Sequence, residues 1–211
     1  MKKANYIVFD CETGGLDCTK NPILEIALVT LDKNLKEIDR YETYIKPYDD
    51  LVVDSDALKA NGIKLRDVEN NVISKKEAVK NLTTYFKKSS TGNHPSMRPI
   101  VVGHNIPFDI GFMDELFKNE KVKFKDLKQN IFIDTMGDAT RCWPKINSLN
   151  LTACCEQAGI ALINAHRAMP DVLATADLFR YFNKKLIQSS SKKNDDDIQN
   201  GKSRQKFQIL D

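Results

Sequence analysis

The chain has 211 residues, 41% of them apolar and 29% charged, enough for one full hydrophobic core plus a tail and ordinary for a soluble globular protein. A net charge of +3 gives no argument for a nucleic-acid binder by itself, although 32 Lys and Arg leave room for a local basic groove. Five cysteines with no C-x-x-C pair indicate neither a disulfide framework nor a zinc knuckle, and free thiols suit a reducing cytoplasm.

The elements follow in chain order. Residues 4–10 form a predicted strand ending in Asp10-Cys11-Glu12, and a polar loop with Gly14, Gly15 and Asp17 leads to Pro22. Residues 23–31 are a second, more apolar strand. The alternation of residues 37–46 predicts a third, paired antiparallel with the second. Short helices are expected over 55–61 and 65–70. Ser74 and Glu77 form a capping box for a helix reaching Lys87-Lys88. Residues 89–99 are the clearest internal loop, and 100–103 a buried strand of parallel type. Pro107 fits a helix's first turn with Asn105 as cap, and Gly111 within that helix predicts close packing on the sheet. A short strand over 131–135 and helices over 149–159 and 170–186 complete the folded part. The polar stretch 188–211 reads as a tail, disordered to about Lys206, with Phe207-Gln208-Ile209-Leu210 a candidate docking peptide. The folded domain is thus 1–187, one α/β domain with a mixed sheet. The apolar run before Asp10 is too short for a signal peptide, and no stretch approaches the ~20 apolar residues of a membrane span.

Asp10 and Glu12 are two residues apart, so a strand projects both from one face. Adjacent carboxylates repel and are costly to desolvate, unless a cation lies between them. Hard oxygen ligands favour Mg²⁺ or Mn²⁺. Alone, D-x-E is also what an exposed turn after a strand carries. Asp109 falls in the first turn of the Pro107 helix, where negative charge is favoured in any case. Within one helix His166 and Asp171 would face apart. Pro170 disfavours helical geometry at Met169, so the helix is expected to begin at Pro170, leaving His166 free on the loop leading in.

The ordered pattern is D-x-E on a first strand, G-H-N-x-x-F-D (Gly103 to Asp109) opening a helix, and H-x-x-x-x-D (His166 to Asp171) opening a later one. It resembles the DEDDh branch of 3′–5′ exonucleases, which includes the proofreading epsilon subunit of bacterial DNA polymerase III, ribonuclease T and oligoribonuclease. The resemblance covers roughly residues 4–185. It implies a ribonuclease H-like fold, a mixed five-stranded sheet flanked by helices. It further implies two divalent ions, the first held by Asp10, Glu12 and Asp171 and the second by Asp10 with Asp109. His166 would be the general base on a water, active when neutral, and the product a nucleoside 5′-monophosphate. The backbone near Thr13 and Gly14 would receive the terminal 3′-hydroxyl, Leu16 would wedge against the last bases, and Phe108 would lie near the terminal nucleotide. The implied substrate is a single-stranded 3′ end, DNA favoured over RNA. Rival expectations are a proofreading partner of a DNA polymerase docked through the tail, an RNA-processing exoribonuclease, and an inactive nuclease fold that only binds. Pro170 departs from the commonest family residue, and the loop 89–99, with His94 and Arg98, has no counterpart role.

Overall fold

The structure is a computed structural model that describes residues 4–63, 72–163 and 165–199. Two central strands organise it. β1 (Tyr6–Thr13) and β2 (Ile23–Leu31) pair antiparallel, and every residue of β2 is buried, Glu25 and Thr30 included. β3 (Glu37–Ile45) continues the meander on one side. β5 (Ile100–Gly103) lies on the other side of β1 and parallel to it, followed outward by β6 (Phe132–Asp134). A strand of two residues, β4 (Val72–Ile73), pairs parallel with β3 at the opposite edge. The order is therefore β4-β3-β2-β1-β5-β6, six strands rather than the expected five. A run of two residues carries no period-2 signature, so β4 had no pattern to announce it. All strands except β2 point one way, so the carboxyl ends of β1, β3 and β5 share one edge of the sheet.

Alternation along β1 assigns its two faces. Ile7, Phe9 and Cys11 join a cluster with the helices α2 (Lys75–Ser89) and α3 (Ile106–Leu116). Phe124 fills the centre of that cluster, with ring centroids 6.1 Å from Phe9, 5.4 Å from Phe86 and 5.8 Å from Phe117. Each such buried ring stabilises the fold by roughly 1.5–3 kcal/mol. Tyr6 and Val8 face the other way, onto Val172, Ala176 and Phe179 of the last helix. Asp10 and Glu12 are even-numbered too and continue that second face.

The helices carry several corrections. α1 (Ser55–Asn61) closes on Gly62 in the left-handed region, while the expected 65–70 helix lies outside the described residues. Ser74 accepts the Glu77 N–H and starts α2 as expected. At α3, Asn105 occupies the cap position with φ 62°, but its side chain caps nothing; its own N–H donates to Asp134 Oδ1 at 2.8 Å instead. Gly111 does not press on the sheet: the space where its Cβ would lie faces Cys18 Sγ at 3.6 Å, an ordinary contact. An additional helix α4 (Thr135–Cys142) follows β6, where only a strand end was expected. Asn150 caps α5 (Leu151–Ala158), which ends on Gly159. The last helix, α6, begins at Ala168 rather than Pro170 and runs to Gln199, past the predicted end at Leu186 and into the stretch expected to be disordered. Pro170 fits inside the first turn because N–H groups there have no partner within the helix. Residues 200–211, with the apolar tetrapeptide 207–210, lie outside the described residues.

Candidate active site

The four acids come from three directions. Asp10 and Glu12 end the face of β1 that packs on α6, and Asp171 lies in the first turn of α6. These three each offer an oxygen, all within 4.8 Å of one another. Asp109 reaches in from α3, on the opposite face. The β1–β5 pairing ends at Val8 and Val102, so the edge of β1 beyond is open. There Asp109 Oδ1 accepts the backbone N–H of Cys11 at 3.0 Å, between the other two acids. Asp109 is 4% exposed and is tied to the strand rather than to the oxygen trio, yet its charge bears on Asp10.

Burial raises every acid in the group, and repulsion from the other members adds to it at Asp10 and Glu12. Burial, then the charges of Asp109, Glu12 and Asp171, lifts Asp10 well above the ordinary carboxylate range. Burial and the charges of Asp171, Glu25 and Asp109 push Glu12 up to about 8. Asp109 is raised by burial to about 7 against the pull of the Cys11 N–H. Asp171 is raised by burial to about 6, opposed by the His166 N–H. Asp171 Oδ2 accepts that N–H at 3.2 Å, while Oδ1 is buried with no hydrogen-bond partner, the one such side-chain atom among the described residues. An orphaned oxygen, a shared face and an all-carboxylate donor set fit a hard divalent cation.

His166 stands in the left-handed region at φ 68°, exposed, just before α6. It lines a cleft of about 940 Å³ together with Glu12, Thr13, Leu16, Asn61 and Phe108. Leu16 is 87% exposed, so it has no packing role. Phe108 is half-buried and leans on Phe112, ring centroids 4.8 Å apart. Thr13 sits at the strand end, where Asn61 donates to its carbonyl at 3.3 Å. Gly14 does not line the cleft: its N–H donates to Pro22 O at 2.8 Å and its carbonyl accepts from Asp54 N at 2.7 Å. A Cβ at Gly14 would lie 2.9 Å from Pro22 Cδ, which is why the loop needs glycine there. Of the two loop residues proposed to receive a terminal hydroxyl, the structure thus brings Thr13 into the cleft and commits both polar groups of Gly14's backbone to the loop.

Two residues of this end escaped notice in the sequence. Glu25 on β2 is paired across the ladder with Glu12 and is fully buried. Arg167 closes on it with two contacts of 3.1 Å, from Nε to Oε2 and from Nη2 to Oε1, and also donates to the Tyr44 hydroxyl. The signal was present: Glu25 is the one charged residue of β2. His104, in the same segment as Asn105, faces away from the acids. Its ring bridges Thr135 Oγ1 at 2.9 Å and the Leu149 carbonyl at 2.7 Å, and burial lowers its pKa, so the neutral ring donates from Nε2 to the carbonyl. Its role is to tie β5 to the chain leading into α5.

Comparison with known proteins adds four findings. Residues 7–179 match a family described as Exonuclease. Ribonuclease T of Shewanella sp. (strain MR-4) is 32% identical over 183 residues, covering 83% of this chain and 80% of that protein. A PolC-type DNA polymerase III of Listeria innocua is 30% identical over 195 residues, 92% of this chain but 12% of the polymerase, so the chain spans only a small part of such relatives. Among solved structures, E. coli exonuclease I in complex with a dT13 oligonucleotide superposes with a TM-score of 0.72 at 20% identity, covering 92% of this chain and 43% of the other. That likeness shows the ribonuclease H-like fold.

Proposed function

We propose, from the premise that this chain belongs to the exonuclease family, that it removes nucleotides one at a time from the 3′ end of single-stranded nucleic acid. The observation that carries the reading is the oxygen trio of Asp10, Glu12 and Asp171 within 4.8 Å, with Asp171 Oδ1 left without a partner. Asp10, Glu12 and Asp171 would hold one divalent ion, and Asp10 with Asp109 a second; Mg²⁺ or Mn²⁺ suits the donors. Such ions, when bound, supply positive charge that offsets the build-up of negative charge at the phosphate in the transition state. His166 takes the proton of the attacking water as its oxygen bonds to phosphorus and the bond to the leaving 3′-oxygen breaks, releasing a nucleoside 5′-monophosphate. Leu16 and Phe108, apolar and facing one cleft, bracket the terminal nucleotide, and Thr13 lies beside its 3′ side.

DNA is the favoured substrate, supported by the dT13 oligonucleotide in the similar exonuclease I complex. The ribonuclease T relative favours RNA as the second reading. Five free cysteines support a reducing cytoplasm, and among the described residues no helix is long and apolar enough to cross a membrane. A polymerase partner held by residues 200–211 is a second assembly reading, motivated by the PolC-type relatives. Matched DNA and RNA oligomers labelled at either end test the whole. Loss of 3′ label first, as mononucleotide and only with added Mg²⁺ or Mn²⁺, is expected. Label released first from the 5′ end, or hydrolysis unaffected by chelation, would overturn the reading. Deleting residues 200–211 should leave hydrolysis intact and abolish capture of a polymerase if the tail is its handle.

A further inference from the structure

We propose that Arg167 is a positioning residue, whose two-point ion pair with buried Glu25 fixes the backbone that carries His166 and Asp171 over Glu12. The inference rests on the reading of His166 as the base. Arg167 stands between the two halves of the site. Its side chain is anchored to the sheet through Glu25 on β2 and the Tyr44 hydroxyl on β3. Its carbonyl accepts the Asp171 N–H at 3.1 Å and so receives the first turn of α6. The neighbouring His166 holds a left-handed backbone, uncommon for a residue with a side chain, and its N–H is spent on Asp171 Oδ2. A strained backbone persists only where its surroundings over-determine it. The fork of Arg167 supplies that constraint from one side and the start of α6 from the other.

The choice of residue types follows. Glu25 is 0% exposed, and a buried carboxylate is tolerated only when paired and hydrogen-bonded. A guanidinium matches a carboxylate with two parallel bonds and fixes orientation as well as charge, which an ammonium does not. Arg167 also lies over the Tyr44 ring, its guanidinium carbon 5.7 Å from the centroid. The anchor therefore resists both sliding and rotation of the segment.

Three variants test this: Arg167→Lys, Arg167→Gln, and Arg167→Gln combined with Glu25→Gln. Each is read by kcat and KM on a 3′-labelled oligonucleotide, by thermal midpoint, and by hydrogen exchange at the His166 and Asp171 amides. Arg167→Lys keeps the charge but not the fork, and is expected to lower kcat by about 10-fold or more with KM little changed. Arg167→Gln leaves a lone buried charge and loses thermal midpoint as well. The double variant removes that charge and regains the midpoint, yet keeps the kcat loss, and its two amides exchange about 10-fold faster than in the parent. If kcat returns along with the midpoint, Arg167 only offsets the charge of Glu25 and the proposal falls. Unchanged exchange in the double variant sinks it equally. A parent protein with no hydrolysis, together with faster exchange in the variants, would remove the base assignment while leaving the clamp.

Discussion

Two buried polar positions on β2 make an instructive pair. Thr30, near one end, is fully buried. Its hydroxyl donates to Tyr85 Oη at 2.9 Å and meets Ser89 Oγ at 2.9 Å, and Ser89 Oγ reaches the Tyr85 carbonyl at 2.9 Å. Burial pushes the Tyr85 phenol up to about 12, so the network is neutral and closed on itself. Glu25, near the other end of the same strand, is equally buried but charged. It stands beside three more carboxylates, one with an orphaned oxygen. A satisfied neutral network fixes how α2 sits on the sheet. A cluster that repels itself is unfavourable for the fold alone.

The sharpest way to break this contrast is at the acids. Asp10→Ala should abolish hydrolysis at saturating Mg²⁺ and, by relieving the crowding of buried acids, raise the thermal midpoint of the metal-free protein at pH 8. Full activity would end the metal mechanism. His166→Ala should lower kcat by about 10²–10⁴ while Mg²⁺ still raises the midpoint by as much as in the parent. Loss of that Mg²⁺ response would make His166 a ligand rather than a base.

The pH dependence tests the same end without any mutation. Asp171, Asp109 and Glu12 are raised to about 6, 7 and 8, above the ordinary carboxylate values near 4. The folded state therefore holds protons that the unfolded chain has lost across this range. The metal-free protein should be most stable below about pH 4 in this respect and lose stability as pH rises from there, each acid ceasing to contribute once its folded value of about 6, 7 or 8 is passed. Mg²⁺ at 100 times its dissociation constant should restore about 2.7 kcal/mol at the upper end. Denaturant titrations at pH 5 and pH 8, with and without Mg²⁺, read both effects. A midpoint that rises with pH without metal would contradict the crowding of the acids. Thr30→Val provides the control from the other end of β2. It should cost about 1–3 kcal/mol by removing the donor to the Tyr85 hydroxyl, with kcat unchanged.

Local patterns in the chain announced what is built locally. The apolar residues of 23–31 announced a strand, Ser74 and Gly159 announced helix ends, and D-x-E announced two acids on one face. Elements without a period escaped: the two residues of β4, and α4, whose eight residues hold little of an apolar stripe. Leu186 ended the apolar stripe of α6 but not its helix, which runs on to Gln199. Asn105 looked like a cap by identity, yet the geometry gave that position a left-handed turn and handed its N–H to Asp134.

The sequence by itself determined the central strands and most helix starts, because those depend on neighbours two to four residues away. Only the tertiary structure decided that Asp109 enters from the opposite face, that Gly14 is committed to its loop, and that Glu25 and Arg167, 142 positions apart, are partners. The order of strands in the sheet sets those meetings, and strand order is fixed by the packing of α6 and α3 on opposite faces, which no window along the chain contains.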